Sequence, residues 1–157
     1  MLIRIHRSHG FTLLEIIIVM ILVGIISIVL MLRWPGNQMN IASQTDQLLN
    51  DIRYIQSLAM NQNKSYKIDF ANNYYEFKTA NNAPEPNPLS GESVIHLFPG
   101  MELKFSYATL KFDSMGAPYT DNANQPLNHT INITMTDGHH IKTIIINPET
   151  GYAQLQS

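Results

Sequence analysis

The sequence predicts an α+β protein: a long N-terminal helix, membrane-directed in its first half and amphipathic in its second, packed on an antiparallel β-sheet domain. Three observations point there. Residues 11–32, "FTLLEIIIVMILVGIISIVLML", form one apolar run. Residues 38–62 place apolar side chains at helical spacing. From Lys64 onward the period drops to two, in short segments separated by turn residues. The layout expected is a basic head (1–10), an apolar helix (11–32), a kink with an amphipathic helix (33–62) and a β domain (63–157).

Composition narrows the function classes. The 157 residues are 45% hydrophobic yet have a mean hydropathy of only −0.08, so the apolar residues are concentrated at the N-terminus. There is no cysteine, which excludes disulfides and thiolate metal sites. Net charge is −2, and removal of residues 1–10 with Arg4 and Arg7 would leave −4. Such a domain is a poor electrostatic match for phosphate backbones, which argues against nucleic acid as a partner.

The first element follows from its length. As a helix, 22 residues span about 33 Å, enough for a bilayer core. Sixteen of them are Phe, Leu, Ile or Val, together favouring insertion by about 5 to 10 kcal/mol. The one carboxylate, Glu15, costs roughly 2.5–3.5 kcal/mol at the bilayer centre and less near an end, so the run inserts despite it. Arg4 and Arg7 precede the span and only Arg33 follows closely, which orients the N-terminus to the cytoplasm and exports the rest. A cleaved secretory signal would have a shorter core and a small-residue site after it. A plain signal anchor accounts for the basic head and the length, but gives no reason for Glu15. Mid-span, Gly24 and Ser27 are small enough for close helix approach.

"RWPG" (33–36) should bend or interrupt the helix at Pro35, with Trp34 and Arg33 suited to a membrane–water boundary. Ile41, Thr45, Leu48, Leu49, Ile52, Ile55, Leu58 and Ala59 then form one stripe, with Asp46, Gln47, Asn50, Asp51, Arg53 and Gln56 opposite. "NQNK" (61–64) ends this helix. Strands are expected at 65–70, 73–79, 93–98, 102–107, 109–112, 129–135, 141–147 and 152–156. The proline-rich loop 81–92 separates the second from the third. Asp137-Gly138 signals a hairpin, and "PETG" (148–151) a further turn. The helical stripe should cover a sheet face made by Ile68, Phe70, Ile133, Ile144 and Ile146.

"G-F-T-L-L-E" before some twenty apolar residues resembles the class III signal of type IV pilins and type II secretion pseudopilins. The resemblance implies a lollipop-shaped, inner-membrane, single-pass protein with a periplasmic C-terminal domain. A prepilin peptidase would cut after Gly10, the new N-terminal amine of Phe11 would be methylated, and Glu15 would be the assembly residue. Other pilins in a filament and an inner-membrane assembly platform are the implied partners; no cofactor or metal is implied. The physical account of Glu15 is that the freed amine of Phe11 stays cationic. An acid at nearly the same depth can then meet the amine of a neighbouring subunit, fixing axial register.

Within that group, three segments resemble the GspH/FimT type. They are a helix ending through Arg53, Ala59 and Asn63, a strand and turn through Phe112 and Gly116, and a closing hairpin through Ile144, Ile146, Thr150 and Gly151. The expected function is a minor pseudopilin of a type II secretion pseudopilus. The alternative is a minor pilin of a type IV or MSHA-like pilus. DNA-uptake members carry arginines just after the last Gly, where this chain reads Tyr152-Ala153-Gln154, which argues against a DNA receptor.

Signs of catalysis are sparse. His129, His139, His140, Asp137 and Glu149 read as polar turn residues, since neighbours on a strand point to opposite faces. No G-x-S-x-G, phosphate-binding Gly loop or H-E-x-x-H is present. Asp113-Ser114 and Asp121-Asn122 lack the spacing of a calcium loop. No enzyme is expected.

Overall fold

The computed structural model describes residues 13–32, 36–88, 90–120 and 127–156, without the side chains of 28–32 and 36–39. The chain divides into two compact units, Met1–Pro35 and Gly36–Ser157.

In the first unit, helix α1 covers Leu13–Leu32. Its large apolar side chains from Leu13 to Ile26 are 47–77% exposed. Ser27 returns its hydroxyl to the carbonyl of Val23 at 2.8 Å, which removes its hydrogen-bonding demand inside an apolar run. Among the described residues no helix is long and apolar enough to cross a membrane.

The second unit is built on helix α2, Gly36–Gln62. Its stripe is the one the spacing predicts: Ile41, Leu48, Leu49, Ile52, Ile55 and Ala59 are buried. Thr45 lies in the same stripe and satisfies its hydroxyl on the carbonyl of Ile41 at 2.6 Å. The helix stops at Asn63, which takes φ +51°, a conformation Asn tolerates, while the amide of Lys64 bonds to the carbonyl of Ala59 at 3.2 Å.

Nine strands follow among the described residues: β1 Tyr66–Phe70, β2 Tyr74–Thr79, β3 Val94–His96, β4 Glu102–Phe105, β5 Thr109–Phe112, β6 Pro118–Thr120, β7 Ile131–Thr136, β8 Ile141–Ile146 and β9 Ala153–Leu155. Two antiparallel sheets replace the single one expected, ordered β3-β2-β1-β5-β6 and β4-β7-β8-β9. Alternation along a strand fixes which face is buried, not which strands pair, so the sequence could not divide them. Helix α2 packs on β1 and β5 of one sheet and on β7, β8 and β9 of the other. Ile68, Phe70, Ile133, Ile144 and Ile146 all reach the shared core, joined by Tyr75, Phe77, Leu110 and Phe112. The β7–β8 turn is the expected hairpin, with a four-residue loop, 137–140, and Gly138 at φ +87°.

Two expectations about α2 are corrected. Asp51, placed on the solvent side by its spacing, is only 4% exposed. Arg53 and Gln56 are half-buried and reach strands and turns rather than water. The causes differ: the proline-rich loop and Tyr75 of β2 cover Asp51, while β9 and two turns reach Arg53 and Gln56, so the buried arc is wider than a single stripe.

Candidate functional site

The N-terminal motif residues fall in different places. Glu15 sits exposed in the first turn of α1, where a negative charge complements the positive end of the helix dipole. Gly10 and Phe11 lie outside the described residues, as do "RWP" (33–35), where a bend was expected, Asp121 and Asn122. The exposed apolar surface of α1 is what a helix offers to other helices or to lipid.

In the second unit the structure gathers Arg53, Phe112, Gly116, Thr150 and Gly151, spread over 98 positions in chain order, around one clasp. The Gln56 amide donates to the carbonyls of Gly116 at 2.9 Å and Thr150 at 2.7 Å, tying α2 to two turns at once. Arg53 donates to the carbonyl of Ala153 from Nε at 3.1 Å and Nη2 at 2.9 Å, and to the Tyr152 hydroxyl at 3.2 Å. Its guanidinium also stacks 5.2 Å from the Tyr152 ring centre. Gly151, at φ +69°, fits where a Cβ would stand 2.5 Å from the Gly116 carbonyl and 2.6 Å from the Gln56 amide. Of the closing-hairpin residues, Ile144 and Ile146 are core. Gln56 was not singled out by sequence; its signal would have been its place one turn beyond Arg53, toward the end of α2.

A second polar group is buried. The Asp51 carboxylate accepts from the Tyr75 hydroxyl at 2.6 Å and the Asn87 amide at 2.8 Å, pinning the proline-rich loop to α2 and β2. Burial raises the carboxyl above the usual carboxylate range, and the two hydrogen bonds oppose that rise only in part. Burial and the Asp51 charge push the Tyr75 phenol far upward.

Asp137, His140, His129 and Asp113, considered for catalysis or metal binding, are engaged in local hydrogen bonds. Asp137 accepts from the amides of His139 at 2.9 Å and His140 at 2.6 Å, and pairs with the His140 ring at 3.0 Å. These bonds, that from the His140 amide foremost and that from its ring next, hold its carboxyl well below the usual range. His129 contacts the Tyr107 hydroxyl at 2.9 Å and Asn128 at 2.7 Å. Asp113 is held in its own turn by the amides of Met115 and Ala117. Among the described residues no group of three or more His, Cys, Asp or Glu could hold a metal ion.

Comparison with known proteins gives two kinds of likeness. Residues 5–31 match the prokaryotic N-terminal methylation motif. No curated protein matches the chain. The fold is similar to that of the type IV minor pilin FimU of Pseudomonas aeruginosa, with a TM-score of 0.59 at 14% identity over 77% of this chain and 91% of that one. It is similar to the minor pseudopilin EpsH of the Vibrio cholerae type 2 secretion system, with a TM-score of 0.58 at 11% identity over 75% and 97%. The chain thus joins a match to the prokaryotic N-terminal methylation motif with an α+β fold similar to those of the minor pilin FimU and the minor pseudopilin EpsH.

Proposed function

We propose that the chain is a minor pseudopilin, a structural and non-enzymatic component of a type II secretion pseudopilus. The observation that carries this reading is the methylation motif over residues 5–31, leading into an apolar helix with Glu15 in its first turn. In this reading a prepilin peptidase cuts between Gly10 and Phe11, Phe11 is N-methylated, and residues 11–32 anchor the chain in the inner membrane. An assembly platform then moves the helix into a bundle of other pilins, the β domain lying in the periplasm. There Glu15 meets the Phe11 amine of a neighbouring subunit.

The similarity to FimU supports a second reading at nearly equal strength, a minor pilin of a type IV or MSHA-like pilus. A DNA-receptor role has less support, because Tyr152-Ala153-Gln154 offers no cationic group and Arg53 beside it is engaged with Ala153 and Tyr152.

Mass spectrometry of the protein from its peptidase-bearing host tests the processing. A methylated N-terminal Phe11 is expected, and an intact Met1 would overturn the reading. Deletion of the gene separates the alternatives: loss of protein secretion with pili retained fits the pseudopilus, and the reverse fits the pilus.

A further inference from the structure

Each sheet has two outer strands, and such strands present backbone groups that readily pair with another chain. Here every one of the four has an outward group already engaged. Strand β3 turns Ser93 and Leu97 toward β2, through bonds from Phe77 to Ser93 (2.8 Å) and from Leu97 to Asn73 (2.9 Å). By alternation His96 and Phe98 face outward. The Gln44 side chain takes up both: its Oε1 accepts from the Phe98 amide at 2.9 Å, and its Nε2 donates to the His96 carbonyl at 3.3 Å. One side-chain amide thereby fills the rung that a strand of another chain would occupy. Gln44 is only 3% exposed, and sits in the apolar stripe between Ile41 and Leu48.

The other sheet repeats the arrangement. The bonds from Asn147 to Tyr152 (3.0 Å) and from Gln156 to Thr143 (2.8 Å) turn residues 152 and 156 of this segment toward β8. The Ala153 carbonyl therefore faces outward, and Arg53 covers it with two N–H groups. The remaining edges are engaged by backbone. Leu103 of β4 donates to Asn72 at 2.8 Å, while β6 begins with Pro118, which has no N–H and whose carbonyl accepts from Leu127 at 3.1 Å.

We infer that α2 guards one open edge of each sheet, Gln44 on β3 and Arg53 on β9, and that these side chains stop the β domain from pairing strand to strand with other copies of the chain. The guard is independent of which filament the chain serves.

The test uses the full-length chain in detergent micelles: wild type, Gln44→Leu, Arg53→Met, the double variant, and Gln47→Leu, which adds the same apolar bulk at an exposed position of α2. Gln44→Leu should speed hydrogen exchange of the Phe98 amide at least tenfold. The double variant should associate more strongly with concentration in sedimentation, and bind thioflavin T above wild type and Gln47→Leu. A folded double variant that associates no more than wild type would overturn the inference, and so would equal association by Gln47→Leu. Should the double variant fail to fold, Gln44→Glu decides. It keeps the acceptor for Phe98 but loses the donor to His96, and must still associate more than wild type.

Discussion

Gly151 shows how one missing side chain can hold three elements together. Its positive φ already disfavours any L side chain, and a Cβ there would collide with the Gly116 carbonyl and the Gln56 amide. Gly151→Ala combines both penalties and should lower stability by about 2–4 kcal/mol. Gly138→Ala meets nothing within 4 Å at a similar φ of +87°, so only the conformational cost of about 1–2 kcal/mol applies. Thermal unfolding followed by circular dichroism should rank the two in that order. Asp51 is the other residue where a single group matters. Asp51→Ala would strand a buried phenol and amide and should cost about 3 kcal/mol. Asp51→Asn keeps an acceptor and should cost less, and equal losses would mean that the network contributes little. The glycine was legible through its resemblance to a hairpin signature. The aspartate was not, because an acid on the predicted outer face of a helix gives no sign of a loop folding over it.

At the scale of elements, the amphipathic helix was legible almost to the residue, 38–62 expected against Gly36–Gln62. Eight strands were also foreseen. Strand β6 escaped because three residues beginning with proline carry no alternation to read. The turns differ from the core in how they answer to acid. Asp137 in the β7–β8 loop has its carboxyl held low by amides and His140. Asp69 is held low by the Thr109 hydroxyl, Lys78 and Lys67, which together outweigh its burial. A lowered folded value means stability that is fully present above the ordinary carboxylate value and is lost as pH falls toward the folded one. Asp51 has the opposite sign: its raised value means that folding is favoured as pH falls through the window between the ordinary and the raised value. Unfolding midpoints measured from about pH 6 down to about pH 2.5 should therefore fall less steeply in Asp137→Asn than in wild type. Asp51→Asn should make the decline steeper, by removing a group that gains.

For the whole molecule, the proposal makes α1 the part that assembles and the β domain the part that presents a surface. Glu15→Gln should leave the protein in the membrane fraction but reduce its recovery with partner pilins; unchanged recovery would count against the pairing with Phe11. That proposal was legible in the sequence because a charged group in an apolar run is chemically conspicuous. The division into two sheets was not, because it depends on contacts between distant segments. Those distances have a consequence for biosynthesis. Arg53 meets Ala153 across 100 positions, and α2 is made long before the strand that completes its surroundings. Closure of the fold around α2 therefore waits until β9 has been synthesised. A copy ending at residue 151 would lack β9 and leave Arg53 with no carbonyl to hold, open to proteolysis. Strand β9 would in this way act as a check on synthesis, admitting to the native state only subunits whose chain has reached it.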